Sequence, residues 1–199
     1  MFDSTLNYIL ENNRVQLRPL QSSDLDFLLP FSIQEPDLWT YSLVSAAGKN
    51  NLQSYMETAI KARVAQREYP FIVFDKKTNT YAGVTRFYDI QEHHQTLQLG
   101  YTWYGKAFQG TGLNRNCKYL LLEFAFEQMN MQRVEFRADN NNKRSIKAMK
   151  SIGCVEEGIL RSNCAAKEGS RRDSIVLSIL KKEWEVNIKD RLKRMIEMG

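Results

Sequence analysis

Two glycines, Gly110 and Gly112, stand just ahead of the strongest helical pattern in the chain. About thirty residues later Asn142 is followed, three positions on, by Ser145. Glycine lets a backbone approach a ligand closely, and the first turn of a helix offers unpaired N–H groups and the positive end of its dipole. The turn Gln109-Gly110-Thr111-Gly112-Leu113-Asn114 therefore suits an anion such as a diphosphate. It lacks the Gly-Lys-Ser/Thr ending of a nucleotide-binding P-loop. Where a dinucleotide fingerprint needs its third glycine it has Arg115 or its neighbours. Taken singly, each half has a plain structural reading, the glycines as a turn and Asn142 as an N-cap. Taken together, an anion cradle and a side-chain amide at the ends of successive strands lie where an extended pantetheine arm would run. The open end of a strand pair could meet that arm's amides as an added strand does.

The elements that would position these groups can be read from periodicity. Arg14 to Leu20 alternates as a strand. Ser22 or Ser23 opens a helix, with Ser23 and Asp26 as a capping box, and a loop from Gln34 to Asn51 carries Trp39 and Tyr41. Leu52 to Arg67 reads as a helix, and Phe71 to Asp75 and Tyr81 to Tyr88 read as strands. Thr96 to Trp103 alternates strictly, placing Leu97, Leu99, Tyr101 and Trp103 on one face. Leu113 to Gln128 is the long helix, and Val134 to Ala138 a strand. A short helix runs from Asn142 to Ile152 and stops at Gly153. Val155 to Arg161 and Asp173 to Leu180 pair last, before a basic amphipathic tail, Lys181 to Met198, with Trp184, Ile188, Leu192 and Met195 on one stripe. The pattern predicts one mixed α/β domain over 1–199, with its core at about 14–184 and residues 185–199 as a helical tail.

Composition narrows the class. The chain of 199 residues can bury one good core. It shows no membrane-length apolar run and no leader pattern at MFDSTLNYILENN. Three cysteines without C-x-x-C spacing argue against a disulfide framework or zinc site, so a reducing, cytoplasmic setting is expected. The net charge of +5 suits a polyanionic ligand without demanding nucleic acid. Cys164 reads as an incidental thiol, His93-His94 as a solvated loop rather than a metal site, and Arg171-Arg172-Asp173 as a strand entry or a guide for an anionic acceptor.

At this point an ordered set of motifs carries a resemblance. Gly100–Trp103, the Gln109–Asn114 turn, the helix through Phe126, Arg133-Val134-Glu135, Asn142-x-x-Ser145 and Ile152-Gly153 occur in sequence. Glu157-Gly158-x-Leu160-Arg161 and Arg172-Asp173 to Glu183-Trp184 complete the series. The chain resembles the GNAT superfamily of N-acetyltransferases, in its RimJ/RimL-like branch, most clearly over about 97–184. That resemblance implies an acyl-CoA N-acyltransferase fold of about seven mostly antiparallel strands with one splayed parallel pair, here the strands ending near Trp103 and Asp139. It implies acetyl-CoA as donor, with Trp103 and Gln109 through Asn114 at the cofactor, the pyrophosphate on backbone N–H groups, Asn142 on the pantetheine arm and Ser145 near the thiol as a proton donor. The backbone N–H near Tyr101 would be the oxyanion donor. Trp39, Tyr41, Gln98 and Arg171 would bound the acceptor, a peptide N-terminal α-amine or a small-molecule amine.

Two departures matter. Ala107 stands first in the pyrophosphate turn, where relatives carry Gln or Arg, so the grip falls to backbone. Gln98 stands where many relatives carry glutamate, and an amide cannot take the amine proton; Glu135, Glu156 or Glu157 would then substitute. The implied partners are acetyl-CoA and the amine, with no metal, membrane or nucleic acid and with a homodimer as the assembly considered. A catalytically silent acyl-CoA-binding module and a ribosome- or RNA-binding protein are the rival readings.

Overall fold

The computed structural model describes residues 2–166 and 169–198; Met1 and Gly199, the ends of the expected domain, fall outside them. The first alternating run forms β2 (Val15–Pro19), preceded by the two-residue β1 (Leu10–Glu11), which is too short for periodicity to reveal. The first helix is entered differently from the expected capping box. Gln21 donates its N–H to the Asp24 carboxylate at 2.8 Å, a 3-10 turn spans Ser22–Asp24, and α1 runs Leu25–Gln34. Asp24 is buried but compensated, because Arg18 holds it at 2.6 Å. After a turn at Pro36–Trp39 comes α2 (Lys49–Val64), then β3 (Tyr69–Asp75), β4 (Thr80–Gln91) and β5 (Thr96–Tyr104).

The second half is α3 (Leu113–Glu123), continued by a π turn at Phe124–Gln128, then β6 (Arg133–Asp139), α4 (Lys143–Ser151), β7 (Val155–Ala165) and β8 (Arg171–Leu180). The basic tail is a packed helix: α5 (Lys181–Glu183) passes through a π turn (Trp184–Ile188) into α6 (Lys189–Glu197). Trp184, Ile188 and Leu192 are buried, and Lys189 reaches the Glu127 carboxylate at 2.7 Å.

The strands make one eight-stranded sheet in the order β1-β2-β3-β4-β5-β6-β8-β7, one strand more than expected because of β1. Every neighbouring pair is antiparallel except β5–β6. Two apolar layers cover the two faces. One holds Leu97, Leu99, Cys117, Leu121 and Phe136 under α3 and the tail. The other holds Leu28, Trp39, Leu52, Tyr55 and Trp103 under α1 and α2.

These layers correct the reading of β5. Leu97 and Leu99 point into the first layer but Trp103 into the second, so strict alternation fails between them. A β-bulge is the cause. Across β4–β5, Arg86 pairs with Gly100 and Val84 with Trp103, so two residues of β5, Tyr101 and Thr102, face the single Thr85. Tyr101 has φ +50°, which turns the chain and exchanges the faces.

Candidate active site

The parallel pair supplies the site. β5 and β6 are in register only at Thr96–Arg133, Leu97–Val134 and Gln98–Glu135, and past that point they separate. β5 continues to Tyr104 and β6 to Asp139, so the β6-facing side of β5 from Leu99 onward is left without a strand partner. A cleft of ≈ 530 Å³ fills the gap and reaches from the Gly110 turn to Trp39 and Tyr41.

At the mouth stands the glycine turn. Gly110 has φ +76° and Gly112 φ +83°, a region that costs other residues roughly 1–2 kcal/mol, and a Cβ on either would meet nothing within 4 Å. The first backbone bond of α3 runs from Asn116 N–H to Gly112 C=O at 3.2 Å, so the N–H groups of Leu113, Asn114 and Arg115 lie ahead of the helical ladder. The Leu113 N–H reaches only the Thr111 hydroxyl, at 3.5 Å. An open backbone cradle with unpaired donors and no crowding side chain fits a diphosphate. Gln109 braces it: its Nε2 donates to the Tyr104 carbonyl at 2.9 Å, and its Oε1 accepts from Arg144 on α4.

Asn142, half-buried on the cleft wall, caps α4 by accepting the Ser145 N–H at 3.0 Å. The N-cap reading of this residue is what the hydrogen bond bears out, and the residue also lines the cleft. Ser145 lines the same wall, one turn into the cleft. Opposite, Trp103 and Trp39 are buried against each other with ring centres 5.0 Å apart, forming wall rather than protruding contacts. Tyr41 is exposed at the rim. At the bulge, Tyr101 packs against Tyr88 (5.0 Å) and covers the Arg86 guanidinium (4.1 Å), which is paired with Glu68 at 2.6 Å. Burial raises the pKa of both phenols, so each is a neutral hydroxyl near pH 7.

The acidic candidates separate. Glu135 is held by Arg133 (2.8 Å) and Arg137 (2.6 Å), Glu157 by Arg133 and Ser178, and Glu156 by Lys150; none of the three lines the cleft. The Arg133 guanidinium holds the Glu157 carboxyl below its ordinary range, and that further weakens it as a proton acceptor. Gln98, buried on the cleft wall, instead donates its Nε2–H to Asp89 Oδ2 at 2.7 Å. Asp89 accepts a second amide, from Gln91, on Oδ1 at 2.8 Å, and it lines the cleft. It sits at a second bulge of β4, with φ +48°. Sequence reasoning missed Asp89 because it lies past the expected end of β4 and reaches Gln98 only through strand pairing.

Arg171 turns outward onto Ser162, while its neighbour Arg172, buried and lining the cleft, donates to the Tyr41 carbonyl at 3.2 Å. Strand alternation sends consecutive residues to opposite sides, so the arginine that reaches the cleft is the next one along. Cys164 also reaches the cleft, near its outer end. His93 and His94 stay in a surface turn, and no cluster of metal ligands occurs among the described residues.

Lys118 is the other missed residue. It is 5 % exposed on α3, and its Nζ donates to Thr102 Oγ1 at 2.9 Å and to Thr85 Oγ1 at 3.5 Å. Burial lowers its pKa from 10.5 to about 8. The folded chain therefore binds its proton less tightly than the unfolded chain, and stability rises with pH between about 8 and 10.5. Below pH 8 the buried charge costs about 3 kcal/mol. Lys118→Met should accordingly raise unfolding stability by about that amount at pH 7, and the gain should vanish near pH 10.5. Denaturant titrations at the two pH values check this, and equal stabilities of the two proteins at pH 7 would contradict it.

A sheet that parts along its one parallel pair, with a cleft between the strands and a glycine turn at its mouth, is an arrangement suited to an acyl-group transferase. Residues 14–155 match the model of the acetyltransferase (GNAT) domain, and the chain belongs to that family of N-acetyltransferases, whose members use acetyl-CoA as donor. It is similar to a Bacillus subtilis protein named "Putative ribosomal N-acetyltransferase YdaF", at 26% identity over 87% of this chain and 95% of that one. Its fold matches a GCN5-related N-acetyltransferase from Brucella melitensis (TM-score 0.88, 23% identity, 95% of this chain and 85% of that one). It also matches the ribosomal-protein-S5-alanine acetyltransferase of Vibrio fischeri (TM-score 0.72, 19% identity, 89% and 98%). No helix among the described residues is long and apolar enough to cross a membrane.

Proposed function

We propose that this enzyme transfers the acetyl group of acetyl-CoA to a primary amine by direct attack, with the α-amine of a peptide N-terminus as the acceptor class. The observation that carries this reading is the departure of β5 from β6 after Gln98, directly above the Gly110–Gly112 cradle. Diphosphate would lie on the N–H groups of the turn, and the pantetheine arm would pair with the open side of β5 and with Asn142. Ser145 would lie near the sulfur. The backbone N–H at Tyr101 would meet the carbonyl oxygen as it gains charge, because the bulge takes this residue out of the β4 ladder.

Asp89 would take the proton that the amine sheds. Its two oxygens are each held by one amide donor, and a carboxylate keeps further lone pairs for an incoming ammonium or a bridging water. Gln98 would aim the base rather than serve as one. The acceptor end, with Asp89, Tyr41 and Arg172, is open to solvent and combines one carboxylate with aromatic and cationic surface, which suits an extended peptide end better than a small enclosed amine. The similarity to a Bacillus subtilis protein named as a putative ribosomal N-acetyltransferase points the same way.

The test is acetyl-CoA turnover on a panel of peptides with free or blocked N-termini and of small primary amines. Acetylation of free-N-terminus peptides, absent when the α-amine is blocked, is expected. Turnover only on small amines would overturn the acceptor class. Tight acetyl-CoA binding with no turnover on any amine would overturn the enzyme reading in favour of a silent acyl-CoA-binding module.

A further inference from the structure

Lys118 is a buried lysine on α3. It lies within an apolar run of that helix, and its pKa is governed by that burial. The titratable groups that face it are two thiols, Cys117 on its own helix and Cys154 beyond α4, both pushed up to about 12 and therefore neutral. From β4 and β5 it meets the hydroxyls of Thr85 and Thr102, and from β6 the ring of Phe136, 5.8 Å from Nζ. Among the described residues, no carboxylate appears among its charge partners.

Its position in the wedge is specific. Phe136 is the first residue of β6 past the last paired position, Glu135, and Thr102 belongs to the bulge of β5. Lys118 thus stands in the cleft wall at the end where β5 and β6 join, and about 9 Å along the α3 axis from the glycine turn (six residues at 1.5 Å each). A donor held by its diphosphate at the mouth extends its reactive sulfur toward this end. Ammonium has three donors, and the hydroxyls take one well and a second weakly.

We propose that Lys118 is a catalytic residue for the known class of reaction: it stabilises the leaving sulfur as a cation and protonates it. The inference rests on acetyl-CoA being the donor. The amine nitrogen forms a bond to the thioester carbon, the tetrahedral adduct collapses, and the C–S bond breaks with its electron pair on sulfur. The ammonium of Lys118 passes a proton to that thiolate, giving the free thiol of CoA. The proton lost by the amine leaves through Asp89 to solvent, and solvent restores Lys118. Net, amine and acetyl-CoA become amide and CoA.

The thiol of bound CoA reads this directly, with no acceptor present. Ultraviolet titration of CoA bound to the wild type should show its thiol ionising about one to three pH units below free CoA. In Lys118→Met the bound thiol should titrate as it does free in solution. Turnover by Lys118→Met should fall about 100-fold in kcat with KM for acetyl-CoA within about threefold. A wild-type-bound thiol that titrates like free CoA overturns the proposal whatever the variant does. So does an equal depression in Lys118→Met, or an unchanged kcat, either of which would leave Lys118 the purely structural task of bracing the Thr102 bulge. Failure of the wild type to bind CoA at all would instead overturn the donor assignment.

Discussion

Gly112→Asp should leave the protein folded but weaken acetyl-CoA binding about 1000-fold. A Cβ there meets no atom within 4 Å, so the substitution starts from open space. The φ of +83° costs aspartate roughly 1–2 kcal/mol. Aspartate is otherwise welcome at the N-cap of α3, where its charge faces the helix dipole. What changes is the ligand site, since the new carboxylate would occupy the donors meant for diphosphate and set like charges side by side, a penalty of several kcal/mol. Calorimetric binding of acetyl-CoA, beside a thermal melt, separates the two effects. Gly112→Ala carries the same backbone strain without charge and should lose much less affinity. If Gly112→Asp bound within tenfold of the wild type, the diphosphate would not lie on this turn.

The second large effect is expected at Asp89. Asp89→Asn should lower kcat by about 100- to 1000-fold, within the range contributed by a general base. Binding of acetyl-CoA should hardly change, because Asp89 lies beyond the bulge from the cradle. Asparagine tolerates positive φ as well as aspartate does, so the bulge at φ +48° survives the change. Glu135→Gln and Glu157→Gln remove carboxylates that are already committed to Arg133, and their effect on kcat should be small. Steady-state rates of the three variants decide between them: a greater loss from either glutamate than from Asp89 would return the base to that residue.

These comparisons show what local pattern can and cannot convey. The glycine turn, α3, and the Asn142 cap were legible because each is set within a few residues by backbone conformation, periodicity or a cap. The splayed pair came only through family resemblance, since no local rule says where two parallel strands part. The bulge at Tyr101 was invisible, because the apolar-polar pattern continues through it while the chain crosses from one face to the other. Asp89 was missed because its meaning comes from Gln98 across the ladder. Lys118 left a trace: it stands inside the run Cys117 to Leu122, where a helix apolar on nearly every side must be enclosed, so its one charge had to be buried. Arg171 and Arg172 cannot be told apart from sequence without a strand phase, and a one-residue slip flips a side chain to the opposite face.

The three pairs that join β5 to β6 also bear on folding. Among the described residues they are the only ladder between a unit of strands β1 to β5 and a unit of strands β6 to β8, so the sheet is stitched at one end along its middle seam. A ligand lying in the open length of that seam takes the place of missing ladder and binds both units together. It would bind the folded chain alone, and mass action would turn occupancy into cohesion between the halves. In that sense the donor substrate would serve, for as long as it stays, as the ninth strand of the sheet.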